Sequence, residues 1–311
     1  MNGFLSNFLT VGAQVLVLFL LILVGYLCNK AKLLTKEANK RISDLVVIVV
    51  APCVIVKSFL REFNPRMLTM LLLALLIAAV SHIVMILLCA LLIRDRDEQR
   101  RRVLQFGAMF SNAGFMAIPL QEALLGVDGV FFGAAYLVMF YIFSWSWGVF
   151  LMTGDRSKIT VKKILVTPGV IGVVIGMILF VSSVKLPNVI TTTLGHISNL
   201  NTPLPMIVVG YYLAESNLLV ALKDKGNYLC MGIRLIFFPL LTLGILYLCG
   251  VRGAIMTSMV IAISAPVAAM TTMFSEKFEA DTILSVQLVS LSTLFSMITM
   301  PVIVALAQMV A

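Results

Sequence analysis

Charged residues are scarce in this sequence, and their scarcity excludes most kinds of protein. Only 12% of the 311 residues are Asp, Glu, Lys or Arg, whereas 61% are hydrophobic. A soluble domain carries about 25% charged and about 45–50% apolar residues. A soluble enzyme and a disordered chain are therefore excluded, and the sequence indicates that lipid surrounds most of the chain.

Motifs for catalysis and metal binding are also missing. No HExxH, GxSxG or P-loop string occurs, so metal-assisted hydrolysis, a serine nucleophile and nucleotide-driven pumping lack their parts. The five cysteines form no CxxC or Cys/His spacing, which argues against a metal site and a disulfide framework. We therefore expect no catalytic residue, no metal and no cofactor.

Ten apolar runs are long enough to be membrane spans, which need about 20 residues to cross a hydrocarbon layer of roughly 30 Å. Helices are expected because an open sheet would leave its backbone groups unpaired in lipid. The sequence thus predicts an all-α polytopic membrane protein with ten transmembrane helices. These spans, numbered 1 to 10, cover approximately residues 9–29, 42–60, 67–93, 103–123, 129–153, 164–184, 190–214, 227–249, 254–274 and 282–308.

Lysine and arginine are concentrated in alternate loops, and this pattern predicts the orientation. The loops after spans 1, 3, 5, 7 and 9 hold 17 of these residues, whereas the loops on the other side hold 4. Because cytoplasmic loops carry the excess, both termini are expected outside and the loops after the odd-numbered spans in the cytoplasm. The net charge of +9 is spread over short loops between apolar runs, so no nucleic-acid partner is expected.

An internal repeat divides the chain into two halves. The string RISDL at 41–45 recurs as HISNL at 196–200, an offset of 155 residues. Each half, residues 1–155 and residues 156–311, contains five predicted spans, an odd number, so the second half enters the membrane from the opposite side. Two inverted five-helix repeats with discontinuous helices are a recurrent design of secondary transporters, whose substrate site lies where the repeats meet.

Spans 4 and 9 contain residues that interrupt helices. Span 4 carries SNAGFMAIP at 111–119 and span 9 carries SAPVAAM at 264–270. Pro119 and Pro266 lack the backbone N–H of a helix interior, and Asn112 is suited to cap a second half-helix. Two half-helix N-termini that meet would provide about half a positive charge each, which favours an anion; ordinary proline kinks are the alternative. The expected substrate site comprises Ser111, Asn112, Ala113, Gly114, Ser264, Ala265 and Pro266, with Pro119 and Pro266 as the helix breaks.

Four polar residues inside the spans are candidates for coupling or for the substrate pathway, namely Lys57, His82, Arg234 and Asp44. A charge at the bilayer centre costs roughly 2.5–3.5 kcal/mol on insertion scales, so such a residue usually faces a cavity. Simpler roles also exist, since Lys57 can extend to the interface and His82 can be a packing residue. The coupling ion, H⁺ or Na⁺, stays open.

The two interrupted strings, SNAGFMAIPL at 111–120 and SAPVAAMTTMF at 264–274, resemble the auxin efflux carrier family, specifically its bacterial members. The resemblance implies a bile-acid-symporter-like superfold in which spans 1, 2, 6 and 7 form a scaffold and spans 3–5 and 8–10 a moving core. It also implies an elevator or rocking mechanism and often a homodimer. Plant members export an indole carboxylate, and bacterial members are commonly linked to malate, malonate or other small carboxylates.

Individual residues carry the resemblance onto this chain. Asn112 and Pro119 match the first crossing helix of the family, and Ala265 with Pro266 matches the second. The large loop that plant members have between spans 5 and 6 is only about ten residues long here. Control by phosphorylation of that loop is therefore not expected, and auxin itself is doubtful as the natural substrate.

We therefore expect a secondary transporter that moves small organic anions, mono- or dicarboxylates or auxin-like acids, across the bilayer by alternating access. A sodium-coupled symporter of the same superfold is the first alternative. A membrane receptor that transports nothing is the second, and it would have no need of broken helices. An intramembrane enzyme ranks last because the spans contain no catalytic pair.

Overall fold

The computed structural model describes residues 2–160, 162 and 165–311, and within these residues it is built of helices without any β-strand. Each predicted span overlaps at least one helix, although the expected start of span 6, residue 164, lies outside the described residues. The helices are α1 Asn2–Lys30, α2 Lys36–Phe59, α3 Pro65–Leu92, α4 Glu98–Met109, α5 Ala113–Thr153, α6 Pro168–Ser182, α7 Asn188–Ser198, α8 Pro203–Glu215, α9 Leu218–Ala221, α10 Lys225–Leu248, α11 Gly253–Ser264, α12 Met270–Lys277 and α13 Thr282–Val310.

Six of these helices, α1, α2, α3, α5, α10 and α13, are long and apolar enough to cross a membrane. Helices α6 and α11 are apolar but shorter. The outward face of α3 shows what the long helices present to their surroundings, because Leu76, Val80, Leu87 and Leu91 follow one another at helical spacing and are all half-exposed. An apolar stripe of this length is costly in water and favourable in lipid, so the fold is that of a multi-pass membrane protein.

Spans 4 and 5 are joined by a sharp turn within α5. Gly126 has φ of 60° and ψ of −143°, a conformation that is accessible essentially only to glycine. The two limbs of α5 on either side of this glycine pack closely, and the side chain of Gln121 is held between them. Its Nε2 donates a hydrogen bond of 2.8 Å to the carbonyl oxygen of Ser258 in α11.

Span 7, whose apolar run is broken by Pro203 and Pro205 in the sequence, is interrupted in the structure as well. Helix α7 ends at Ser198, a single 3₁₀ turn covers Asn199–Asn201, and α8 begins at Pro203. A proline fits the first turn of a helix because the N–H that it lacks has no acceptor there. Pro203 therefore starts a new helix instead of bending a continuous one.

Helices α1 and α8 touch through their backbones. A Cβ atom on Gly210 would lie 2.1 Å from the carbonyl oxygen of Ile22, and one on Gly25 would lie 2.2 Å from that of Ile207. Only glycine permits this approach, as is common where membrane helices associate. The contact fixes α8, and with it the interrupted turn that precedes α8, against α1.

Candidate functional site

The interruptions of spans 4 and 9 lie against each other. Helix α4 ends at Met109 and α5 begins at Ala113, whereas α11 ends at Ser264 and α12 begins at Met270. The N–H of Asn112 donates to the carbonyl oxygen of Pro266 at 2.7 Å, and the N–H of Ala268 donates to that of Phe110 at 3.0 Å. Two extended segments therefore pair in antiparallel fashion where four half-helices meet, and we call this region the crossing.

The position of the first interruption differs from the one that Pro119 suggested. The chain leaves helical geometry at Phe110, whose φ and ψ of −108° and 117° are extended, and Pro119 lies nine residues later inside α5. A π-helical turn over Ala113–Ala117 precedes this proline. In span 9, by contrast, Pro266 lies within the interruption and its predecessor Ala265 is extended, as the residue before a proline prefers.

Asn112 is buried at the crossing, where side-chain and backbone N–H donors lack hydrogen-bond partners. Its side chain does not cap α5, and its Nδ2 has no hydrogen-bond partner among the described residues. The amides of Gly114 and Phe115 lie in the first turn of α5, where a helix supplies no acceptor. No other group in the described residues accepts from them either. The crossing therefore retains unpaired N–H donors.

The two predicted serines are buried beside these donors but are already engaged. The hydroxyl of Ser111 donates to the phenol oxygen of Tyr136 at 3.2 Å. The hydroxyl of Ser264 donates to the carbonyl oxygen of Ile261 in its own helix at 3.1 Å. In this conformation neither hydroxyl proton is directed to a guest, so Asn112 and the backbone amides are the available donors.

A small cavity adjoins Gly114 and Phe115 and has a volume of about 20 Å³. This is room for about one water molecule. The lining contains no carboxylate and only one polar side chain besides Tyr141, that of Asn201, which is 0% exposed. The other lining residues are Val47, Ala51 and Ile55 from α2, and Ile118 and Leu137 from α5.

Asn201 is the site residue that the sequence analysis missed. It lies in the 3₁₀ turn between α7 and α8, and neither its Oδ1 nor its Nδ2 has a hydrogen-bond partner among the described residues. A buried amide without partners costs free energy, so a ligand or water that pairs with it is expected. The available signal was an asparagine two residues before Pro203, in a third broken span.

A larger cavity of about 270 Å³ borders α5 and the interrupted turn of span 7. It is lined by α1, by the first limb of α5 and by the interrupted turn of span 7, and its lining includes Pro119, Asn199 and Thr202. Glu122 also lines it and forms an ion pair of 3.8 Å with Lys57. Lys57 therefore contacts a residue that lines this cavity, and it is not among the residues that line the cavity at Gly114.

Arg234 binds both half-helices that end at the crossing, α4 and α11. It is 0% exposed and occupies a π-helical turn in α10. Its Nη1 donates to the carbonyl oxygens of Ala108 and Met109 at 3.2 and 3.1 Å, and its Nη2 donates to that of Ile263. Because the last carbonyls of a helix lack partners and carry partial negative charge, one guanidinium satisfies the ends of α4 and α11 together.

His82 and Asp44 are the two remaining coupling candidates. His82 in α3 is buried, with its Nδ1 2.8 Å from the carbonyl oxygen of Ala78 and its Nε2 without a partner among the described residues. Its ring centroid lies 4.8 Å from that of Tyr136, which links it to Ser111. Asp44 is partly buried in α2 and lines neither cavity. No cluster of metal-binding side chains occurs in the part of the chain that the structure describes.

The helical fold, the lipid-facing stripes and the crossing together define a membrane protein built around discontinuous helices. Comparison with known proteins identifies its family. A family model described as "Membrane transport protein" matches residues 10–304, and the chain belongs to this family. The resemblance to auxin efflux carriers that the two interrupted strings indicated is thereby confirmed.

A relative with a similar length supports the same assignment. The chain is 26% identical over 295 residues to a protein of Methanothermobacter thermautotrophicus named "Uncharacterized transporter". The match covers 92% of this chain and 95% of the relative. The protein is thus a membrane transporter by family, and the chemistry of its cargo has to be argued from the site.

Proposed function

We propose that this protein is a secondary transporter of small organic anions and that the anion binds at the crossing. The observation that carries the proposal is the set of unpaired donors there, the Nδ2 of Asn112 and the amides of Gly114 and Phe115. Helix N-termini attract anions through such amides and through the helix dipole. The lining of the adjoining cavity contains no carboxylate that would repel a negative guest.

The small volume of the cavity supports alternating access. An organic acid does not fit into about 20 Å³, so α2 and the interrupted turn at Asn201 have to separate from α5 before it can bind. Helix α2 and this turn correspond to spans 2 and 7 of the proposed scaffold, and α5 belongs to the proposed moving core. The described conformation is then an occluded one, and an elevator movement of the core would open the cavity on either side.

The proposal includes a complete topology. Ten spans form two inverted repeats in a bacterial inner membrane, with both termini outside, since the basic residues favour this orientation. A homodimer is proposed from the family resemblance. Light scattering of the purified protein tests the dimer, and accessibility of single cysteines placed at each terminus tests the orientation.

Uptake into proteoliposomes tests the transport function. We expect accumulation of at least one acid from a panel of acetate, lactate, malonate, malate and indole-3-acetate. Asn112→Ala should abolish this uptake while the protein stays folded in detergent, because the variant loses the unpaired side-chain donor. Asn7→Ala in α1, which changes the same residue type far from the crossing, should behave as wild type.

The same experiment separates the alternatives. Uptake that requires sodium would favour the sodium-coupled symporter, and uptake driven by a pH gradient would favour proton coupling. A wild-type protein that takes up none of these acids would contradict the proposal and favour a receptor. Asn112→Ala with wild-type uptake would remove that side chain from the site.

A further inference from the structure

We infer that Arg234 makes the crossing selective for a guest with one negative charge, although it does not touch the guest. The inference rests on the proposed anion site and assigns a role to the guanidinium behind it. Arg234 binds carbonyl groups at the ends of α4 and α11, whereas the proposed guest binds at the beginning of α5. Arg234 is not among the residues that line the cavity at Gly114 and Phe115.

Four helix ends meet at the crossing, and each carries a partial charge. A helix carries about half a positive charge at its N-terminus and about half a negative charge at its C-terminus. The ends of α4 and α11 thus contribute about one negative charge, and the starts of α5 and α12 about one positive charge. Without a cation these contributions would cancel, and the crossing would not attract an anion.

Arg234 neutralises the negative partial charges at the ends of α4 and α11. Its guanidinium contacts carbonyl oxygens in the last turn of both α4 and α11, so its charge offsets the two C-terminal ends. About one positive charge then remains at the two N-termini, where the donors of Asn112 and Gly114 are unpaired. A guest with a single negative charge neutralises it.

Among the residues that the structure describes, Arg234 is the only Asp, Glu, Lys or Arg that is buried, so no other buried formal charge contributes to this balance. The side chains that surround it are neutral, namely those of Met85, Cys89, Tyr136, Cys230 and Phe238. Burial of an arginine is costly unless its charge is balanced, and here the helix ends provide that balance.

The lining of the cavity adds a preference between monoanions and dianions. Beside the donors it consists mainly of apolar groups such as Val47, Ile55 and Leu137, and it contains no cationic side chain. A second carboxylate on the guest would lose its water without gaining a charged partner, which is unfavourable. The site therefore accepts a monocarboxylate with a small apolar body in preference to a dicarboxylate.

A purely structural role for Arg234 makes a different prediction, so the two can be separated. If the guanidinium only holds the helix ends, its loss affects all ligands to the same extent. If its charge acts on the guest, the loss of affinity grows with the charge of the guest, because a Coulomb interaction is proportional to that charge. Ligands of one shape and different charge distinguish these cases.

The test uses malonate, monomethyl malonate and dimethyl malonate, which carry two, one and no negative charges at neutral pH. Their affinities are measured by calorimetry with wild type, Arg234→Lys and Arg234→Gln in detergent. We expect wild type to bind monomethyl malonate most tightly. Arg234→Gln should weaken monomethyl malonate about tenfold and malonate about hundredfold, with no change for the diester. Arg234→Lys keeps the charge, so the ratio of its affinities for monomethyl malonate and malonate should stay within about threefold of the wild-type ratio.

Equal weakening of malonate and monomethyl malonate in Arg234→Gln, or no weakening, would overturn the inference. If Arg234→Gln does not fold, the test is made with Arg234→Lys, which keeps the charge. A folded Arg234→Lys variant that has lost the preference for monomethyl malonate would also overturn the inference. A wild-type protein that binds neither these esters nor any acid of the uptake panel contradicts the proposed function itself. A wild-type preference for malonate contradicts only the monoanion selectivity.

Discussion

The backbone N–H of Asn112 and the carbonyl oxygen of Pro266 are joined by a hydrogen bond of 2.7 Å. Each residue lies in the interruption of a different span, 154 positions apart in the sequence. The bond, with its reciprocal partner between Ala268 and Phe110, pairs the two interruptions directly. One amide of each interruption is therefore used by the protein, whereas the amides of Gly114 and Phe115 and the Nδ2 of Asn112 have no partner among the described residues.

Asn201 is expected to contribute to anion binding from the opposite wall of the cavity. Asn201→Asp should abolish binding of the acid that wild type transports, because a carboxylate there would repel the guest and compete for the amides of Gly114 and Phe115. Asn201→Ala should weaken binding by about tenfold, the value of one lost hydrogen bond. Calorimetry measures both, and Asn7→Asp controls for the added charge. An unchanged affinity in Asn201→Asp would exclude this residue from the site.

The close contact between α1 and α8 makes a prediction about stability. Gly210→Ala should destabilise the protein by about 1–3 kcal/mol, because the new methyl group would overlap the backbone of Ile22. Gly244→Ala is the matched control, since no atom lies within 4 Å of the Cβ that it adds. Thermal unfolding in detergent measures the difference. Equal midpoints for the two variants would mean that the helices do not approach as closely as described.

An ion pair next to α10 gives the stability a dependence on pH. Burial raises the pKa of Asp224, but hydrogen bonds from Arg100 and from the amide of Gly226 outweigh this effect and hold the pKa below its ordinary value. The stabilisation is therefore fully present above the pKa of the unfolded state and is lost as the pH falls through the lower pKa of the folded state. Below about pH 4 the wild type should lose the stabilisation that the ionised Asp224 provides. Asp224→Asn lacks this stabilisation at every pH.

Unfolding midpoints measured from neutral to acidic pH check this prediction. The difference between wild type and Asp224→Asn should shrink as the pH falls. Glu279→Gln, which removes an exposed carboxylate, serves as the control and should run parallel to wild type. A constant difference between wild type and Asp224→Asn at all pH values would show that the ion pair does not cause the effect.

A second ion pair links the proposed scaffold to the proposed moving core. The Nη1 of Arg61, which follows α2, lies 2.6 Å from the Oδ1 of Asp128 beside the turn at Gly126. If α5 moves past α2 in each cycle, this contact has to break. Exposed ion pairs contribute about 0.2–1 kcal/mol, so Asp128→Asn should change the initial rate of uptake by up to about fivefold.

A matched control for this pair lies inside the scaffold. Lys185 and Glu62 are 3.7 Å apart and both belong to segments that flank scaffold spans, so Glu62→Gln should not alter the uptake rate. Reversal of one charge, as in Asp128→Arg, should change the initial rate of uptake. The double variant Arg61→Asp with Asp128→Arg should restore the wild-type rate. Equal effects of Asp128→Asn and Glu62→Gln would argue against movement between α2 and α5.

The sequence predicted the helices well because length and hydropathy are local properties. It predicted less well where a helix is interrupted. Pro119 and Pro266 look alike in sequence, yet the first lies inside α5 and only the second lies in an interruption. A proline is tolerated in the first turns of a helix, so its presence marks the neighbourhood of a break without fixing the position.

The sequence named some residues of the candidate site and not others. Asn112 and Gly114 were named because they occur in a string that resembles a known family, and the Nδ2 of Asn112 and the amide of Gly114 are unpaired among the described residues. Ser111 and Ser264 were expected to donate to the anion, whereas their hydroxyls donate within the protein in this conformation. Asn201 was missed because its role depends on a cavity formed by helices far apart in the sequence.

By itself the sequence determined that this protein is helical, lies in a membrane and belongs to a family of transporters. These properties follow from the hydropathy of runs of about 20 residues and from two short strings, none of which needs a distant contact. Only the tertiary structure decided that Asn112 pairs with Pro266, that Asn201 faces Gly114 across a cavity and that Arg234 binds the ends of α4 and α11. Each of these relationships joins residues of different helices, and the packing that brings them together leaves no signal in the local order of the amino acids.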